Sequence, residues 1–396
     1  MHRRIEKLVT LLQEAGVECC IISKPENVYY FTGVFPIEAS FLLVSTKREP
    51  ALLVAPSSYP EAEERSCVEV IKGELNTIAA LKRALHRRGC MPEKSGVLLR
   101  DFLRAVRKKP LGIEGDYLPA EVARKLETKW LDISPLISEL RMVKDREEIA
   151  TITRAVKASE EALRRVSQSI APRMPERELS GMLDLELKRL GADQTKARVR
   201  SGKNSAKPFS KEMSGKVGKG ALLIDYGGAF EHYWTDLTRT FHVGRVSPSY
   251  EEVYECILEA KRAALREIGA GKEIAVVEHA VREVFREHSL EKHIVYTPGH
   301  GVGLEVHELP VITSQKLREE PPVPRGSTDA ERLYRTMARL FIREEKPVFQ
   351  ENMVLTIEPG LYFNDFGVRV EDMVLVKHCA KLLSRFPDEL EDVTIA

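Results

Sequence analysis

The 396-residue sequence predicts two domains, a mixed α/β domain over residues 1–140 and an α+β domain over residues 141–396. Three observations predict this. The length suits two domains at roughly 100–200 residues each. The first third alternates apolar runs of strand length with helical patterns. Beyond a change of texture at residues 131–144, long helical patterns group around two strand-rich blocks, 220–244 and 352–377.

The elements follow in order. Ile5, Leu8, Val9 and Leu12 have the i, i+3, i+4, i+7 spacing of an amphipathic helix. Val17–Ser23 is an apolar run of strand length. Phe41–Thr46 and Ala51–Ala55 flank the polar Lys47–Pro50, a hairpin pattern. Ile78–Arg88 has helical spacing, Gly96–Leu99 reads as strand and Pro119–Lys129 as helix. In the second domain, Ile149, Ile152, Val156, Leu163, Val166 and Ile170 mark a long helix that Asp145 caps. Further helices are expected at about 175–190, 249–269 and 272–288.

Composition excludes several classes. With 43% hydrophobic and 31% charged residues the chain has enough apolar material for a core, which excludes wholesale disorder. Sixty-one basic against 60 acidic residues leave a net charge of +1, so no global field steers it to nucleic acid or an anionic membrane. No apolar run approaches the roughly 18 residues of a membrane span. The amphipathic opening is unlike a secretory leader. Cys19, Cys20, Cys67, Cys90, Cys256 and Cys379 form neither a C-x-x-C pair nor a zinc-like cluster. Reduced thiols and a cytoplasmic location are expected.

Two acidic hairpins carry the chemistry. In Met353–Asp372, two β-like runs flank Asn364-Asp365, a good turn pair. With those two residues as the loop, Glu358 falls directly opposite Glu371, Cβ atoms about 5 Å apart. Facing carboxylates repel unless a cation lies between them. Arg369 shares the face of Glu371 and supplies part of the compensation. Alternatively, both acids are exposed on a solvated hairpin. The apolar Leu355, Ile357, Val368, Val370, Val374 and Leu375 favour burial. In Ala221–Gly244, a turn between Phe230 and Glu231 opposes Asp225 and Asp236. A turn at Gly227-Gly228 does not, and one or both aspartates at strand ends is the plainer reading. In Gly299–Glu308, three glycines frame His300 and His307, where a backbone can approach a ligand closely.

Four acids and at least one histidine suit Mn²⁺, Co²⁺, Fe²⁺ or Zn²⁺. Two divalent ions neutralise four carboxylates. At a separation of about 3.5–4 Å they can share a water and ionise it near neutral pH, which makes a hydroxide for attack on a carbonyl.

These residues match a known pattern. Asp225 and Asp236 in DYGGAFEHYWTDLTRTF, His300 in GHGVGLEVHE, Glu358 in TIEPGLY and Glu371 in GVRVED resemble the metal ligands of the pita-bread metallopeptidases. The sequence is most similar to the prolidase and aminopeptidase P branch, which cleaves bonds before proline. Asn27–Val34, NVYYFTGV, resembles a motif of that branch's creatinase-like N-terminal domain, and Leu140–Ala150, LRMVKDREEIA, its interdomain junction. The resemblance implies a creatinase-like α/β domain over 1–140, a pita-bread catalytic domain over 141–396, a small peptide substrate and a homodimer. It also implies that Asp225 binds one metal, that Asp236 and Glu371 bridge two, and that His300 and Glu358 bind the other. Glu358 doubles as general base, His307 meets the substrate or the tetrahedral intermediate, and Arg369 orients the carboxylates. Creatinase shares the fold but lacks the five ligands, so a metal-free chemistry of that kind is not expected.

Two departures stand out. The branch carries a substrate-contacting histidine after Ser-Gly-x-Asn-Ser, where this chain reads SGKNSAKPF with Phe209 at that place. The stretch between His307 and Glu358 is longer than usual. It holds the Pro-rich 319–326 and a helix pattern, Thr328 and Glu331 before Leu333, Met337, Leu340 and Phe341. This insertion, about 310–350, reads as a surface helix, a dimer contact or a lid limiting substrate size. Residues 196–219 hold eight basic residues and one acid, Glu212. They read first as a solvated loop and second as a selector of anionic substrates. The alternative function is therefore a metal-dependent hydrolase or lyase acting on a non-peptide, anionic small molecule. A third reading, a non-enzymatic binding scaffold, has no use for five intact ligands.

Overall fold

A computed structural model of the chain describes residues 2–36, 38, 40–73, 110–118, 129–210, 212–314 and 346–395. The chain divides into two compact units, Met1–Leu140 and Arg141–Ala396. The expected elements Ile78–Arg88, Gly96–Leu99 and Pro119–Lys129, the helix near 329–345 and most of the 310–350 insertion lie outside the described residues.

The first unit is built on one six-stranded mixed sheet. Its order is Glu69–Lys72, Arg48–Val54, Phe41–Ser45, Cys19–Ile22, Leu111–Ile113, Trp130–Asp132. The opening helix, His2–Glu14, buries Ile5, Leu8 and Leu12, three of the four positions that its spacing marks. The expected hairpin closes with Ser45 opposite Arg48. NVYYFTGV lies on the short helix Pro25–Thr32, which Gly33 ends at φ 81°. The Glu114 carboxylate below it accepts from the Lys24 amide at 2.8 Å and the Asn27 side chain at 2.6 Å.

The second unit sets helices around two five-stranded sheets and a short two-stranded one. Its long helix, Arg146–Ser167, starts in a full capping box. Asp145 accepts from the Glu147 and Glu148 amides, and Glu148 accepts from the Asp145 amide. This helix packs on the strand Gly220–Phe230, and Glu176–Arg189 packs on Gln194–Ser201. Pro248–Glu267 and Ala275–Glu287 pair with each other. One sheet runs Thr394–Ile395, Leu237–Val243, Gly220–Phe230, Gln194–Ser201, and the short Tyr233–Trp234 pairs with Gly220–Phe230. The other runs Glu308–Val311, His300–Gly301, Val354–Ile357, Asp372–Val376, Ala380–Leu382. An isolated bridge between Thr238 and Glu371 ties them together.

Among the described residues no helix is long and apolar enough to cross a membrane. Cys19, Cys20, Cys67, Cys256 and Cys379 are free thiols.

Candidate active site

The hairpin register read from Asn364-Asp365 holds throughout. Tyr362 pairs with Gly367 and Gly360 with Arg369, and beyond a break Ile357 pairs with Asp372. Glu358 and Glu371 fall at the break. There each leaves its hairpin partner for a distant segment: the Glu358 amide donates to Pro298 O at 2.9 Å, in the loop before His300–Gly301, and the Glu371 amide to Thr238 O at 3.1 Å, in the strand Leu237–Val243. Both are buried, so the solvated hairpin is excluded.

The second hairpin differs from the symmetric expectation. Its turn is Glu231-His232, both residues at positive φ, 49° and 69°. The register therefore shifts, and Asp225 faces Thr238 rather than Asp236. Gly227-Gly228 is no turn but part of the strand. Asp236 sits just before Leu237–Val243, so the strand-end reading holds for that residue while Asp225 is mid-strand. Period two still puts the aspartates on one face.

The glycines beside His300 serve backbone packing. A Cβ at Gly299 would meet Thr356 O at 2.2 Å, and one at Gly301 would meet Leu309 O at 2.1 Å. His300 Nδ1 lies 2.9 Å from Gly301 O, an acceptor only. Nδ1 therefore carries a hydrogen, and Nε2 faces the acids, 3.3 Å from Glu358 Oε1 and 3.9 Å from Asp236 Oδ2. Donor atoms of His300, Glu358 and Glu371 all lie within 4.8 Å of one another, as do those of Asp236, His300 and His307.

Two cations meet the Asp225 side. Arg369 Nη2 is 2.6 Å from Asp225 Oδ2, and its Nε donates to Thr238 Oγ1 at 2.9 Å. Lys196 Nζ is 3.3 Å from Asp225 Oδ1 and donates to Asp236 Oδ1 at 3.0 Å. Burial opposes ionisation of Asp225, but Lys196 and Arg369 outweigh it and hold its carboxyl well below the usual range. Burial raises Asp236, with help from Asp225 and Glu358. Burial, then Asp236 and Glu358, pushes Glu371 well above its ordinary value. Burial disfavours the His300 imidazolium, yet Glu358 and Asp236 raise its pKa overall. Burial, then the charges of His300 and Lys196, depresses His307 to about 2, which leaves a neutral ring. Its centroid is 4.4 Å from that of His300.

All seven predicted site residues line one cavity of about 260 Å³. Phe209, Tyr296, Thr297, Val311, Lys196 and Arg198 line it too. Phe209 is 73% exposed at its rim and meets Tyr296 edge-on at 6.0 Å. The basic segment is a solvated loop only in part. Lys203, Lys207, Lys216 and Lys219 are exposed, as a solvated loop requires. Lys196, Arg198 and Arg200 instead lie on the strand Gln194–Ser201, with Arg198 paired across to Asp225. Their alternation with Ala197 and Val199 is the period-two signal that finds them.

The donor set suits a divalent ion: acids with one imidazole turned toward them. Asp225 Oδ1 is fully buried and has no hydrogen-bond partner, an acceptor that a cation would satisfy.

Known proteins share this architecture. Residues 150–378 match metallopeptidase family M24, and residues 4–143 match the creatinase/prolidase N-terminal domain. The Xaa-Pro dipeptidase of Pyrococcus furiosus is 29% identical over 399 aligned residues, 98% of this chain and 100% of that protein. The prolidase structure from Pyrococcus horikoshii OT3 matches with a TM-score of 0.78 at 25% identity, over 98% of this chain and 99% of the other. The X-Pro aminopeptidase structure from Thermotoga maritima MSB8 gives 0.77 at 27% identity, over 99% of each chain. The expected architecture, a creatinase-like domain followed by a pita-bread domain, is borne out. This is a hydrolase that works on peptides with divalent metal ions, and the chain belongs to metallopeptidase family M24.

Proposed function

We propose that the chain hydrolyses the peptide bond before proline in Xaa-Pro peptides, at a centre with room for two divalent ions. The observation that carries this is the convergence of Asp225, Asp236, His300, Glu358 and Glu371 on one buried wall of the cavity. In this reading all five are metal ligands, for Mn²⁺, Co²⁺, Fe²⁺ or Zn²⁺. The ions supply Lewis acidity and ionise water near neutral pH.

The protein's own groups do the rest. As the water oxygen bonds to the scissile carbonyl carbon, Glu358 takes its proton on a carboxylate oxygen. The C–N bond breaks as Glu358 returns that proton to the proline nitrogen. Neutral His307 donates an N–H to the oxyanion of the tetrahedral intermediate. Arg369 fixes Asp225 directly and Glu371 through Thr238. Phe209, Tyr296 and Val311 offer the proline ring an apolar wall. Arg198, which has no hydrogen-bond or ion-pair partner among the described residues, offers a cation to the carboxylate of a dipeptide. The similarity to an Xaa-Pro dipeptidase and an X-Pro aminopeptidase supports the substrate class. A homodimer and a cytoplasmic setting complete the reading. Sedimentation tests the first, and the free thiols support the second.

The test is hydrolysis of Xaa-Pro and of a longer peptide with proline second, by protein stripped and reloaded with each metal. Cleavage of the dipeptide alone indicates a dipeptidase, and cleavage of the longer peptide an aminopeptidase. A metallated protein that cuts neither sinks the reading. The basic wall of Lys196 and Arg198, with Phe209 at the rim, favours a second reading, hydrolysis or elimination on an anionic non-peptide. Brisk Xaa-Pro turnover with no turnover of phosphate or carboxylate esters ends it.

A further inference from the structure

Lys196 stands inside the carboxylate cluster. Its Nζ donates to Asp236 Oδ1 at 3.0 Å and Oδ2 at 3.1 Å, and lies 3.3 Å from Asp225 Oδ1. It enters from the strand Gln194–Ser201, where it pairs with Gly227. Its side chain is only 17% exposed. An ammonium so enclosed is retained by the charges around it.

The two ends of the cluster differ. At one, donor atoms of His300, Glu358 and Glu371 lie within 4.8 Å of one another. At the other, Asp225 is already met by Lys196 and by Arg369 Nη2, the latter at 2.6 Å. Formal charge points the same way. Four carboxylates meet one ammonium and one guanidinium. Among these directly paired groups a single divalent ion completes neutrality and a second overshoots it, the more so because Arg198 lines the same cavity.

We propose that Lys196 is a resident cation at the Asp225–Asp236 end, so that the centre takes one divalent ion tightly at the His300–Glu358–Glu371 end and a second only against the ammonium. This rests on the metal-centre reading above. The lysine neutralises charge there but leaves Asp225 Oδ1 without a hydrogen bond. That end therefore still offers an acceptor to a second ion. The flexible lysine stem lines the cavity, into which the ammonium can withdraw. Metal occupancy of the second position is thereby set by a side chain of the protein itself.

The test titrates metal-free, full-length protein with Mn²⁺ alone. Bound ion is counted by equilibrium dialysis and by loss of the free Mn²⁺ EPR signal. The wild type is expected to bind one ion tightly and a second at least about 100-fold more weakly. Lys196→Met is expected to bring the two affinities within about tenfold of each other, and Lys196→Arg to keep the gap. Two equally tight ions in the wild type overturn the proposal and leave the metal-centre reading standing. A gap unchanged in Lys196→Met does the same. Absence of a tight ion from every protein overturns the metal-centre reading and the proposal together. Should the methionine variant fail to fold, Lys196→Gln, which removes the charge and keeps a polar side chain, makes the same comparison with the same two outcomes.

Discussion

Thr238 and Glu371 are joined three times. The Glu371 amide donates to Thr238 O at 3.1 Å, the Thr238 amide to Glu371 O at 3.4 Å, and Thr238 Oγ1 to Glu371 Oε2 at 2.6 Å. The same hydroxyl accepts from Arg369 Nε at 2.9 Å. One threonine thus links a carboxylate of the cluster to the guanidinium that holds Asp225. Thr238→Val keeps the shape and the backbone bridge but strands two buried groups. It is expected to cost about 1–3 kcal/mol of stability and to lower kcat about tenfold with little change in KM. Urea unfolding and steady-state kinetics check both. An unchanged kcat would show that the hydroxyl positions nothing.

Glu308 gives a pH dependence. It is buried against Arg141 and Lys144, the latter 3.2 Å away. Burial alone would raise its pKa, but the two cations outweigh it and depress the carboxyl to about 2. A depressed folded-state pKa stabilises above the unfolded value, near 4.5, and that stability is lost as pH falls from about 4.5 toward 2. The contribution is on the order of 3 kcal/mol. The stability difference between wild type and Glu308→Gln should therefore be flat from pH 8 to 5 and shrink below that. A difference constant down to pH 3 contradicts the assignment.

Phe209 is exposed, so Phe209→His should leave the melting temperature within about 1–2 °C. It adds a donor beside the cavity that Phe209 lines. One new hydrogen bond to bound substrate is expected to raise kcat/KM on an Xaa-Pro dipeptide about tenfold. A rise that fades as the imidazole loses its proton would identify that proton as the new contact. No gain would show that the rim does not touch the substrate.

Chelation is expected to destabilise the second unit. Asp236 and Glu371 are pushed above their ordinary pKa values by burial and by neighbouring acids. A divalent ion removes that repulsion and binds the folded state alone. At an ion concentration about 100 times Kd the stabilisation is about 2.7 kcal/mol. Calorimetry with and without a chelator reads it, and coincident melting curves would argue against a metal centre.

Much of this site was legible because local chemistry fixed the register. Asn364-Asp365 is a turn pair with few alternatives, and the register counted from it holds from Val354–Leu375 to Tyr362–Gly367. The break at Glu358 and Glu371 was not legible, since it depends on Pro298 and Thr238, distant in sequence. The other hairpin misled for a specific reason. Glycine is the expected occupant of positive φ, yet Gly227-Gly228 lies within a strand while Glu231 and His232 take the left-handed turn. Lys196 and Arg198 were hidden by charge. A run of cations suggests solvent, and only the period-two pattern, read together with the facing aspartates, places them in a strand. Asp145 needed no distant partner, and it caps its helix as the sequence implied.

The Thr238–Glu371 bridge also has a consequence for how the protein is made. Asp225 and Asp236 belong to one sheet or its edge, whereas His300, Glu358 and Glu371 belong to the other or its edge. Each sheet can close its own hairpins early, because those contacts are short in sequence. The bridge spans more than a hundred residues and must wait for a large loop to close. The complete cluster therefore forms late in a nascent chain. A ribosome-bound fragment that ends before Glu371 holds several of the acids without the geometry that joins them, so metal capture should coincide with the last docking of the two sheets rather than guide their formation.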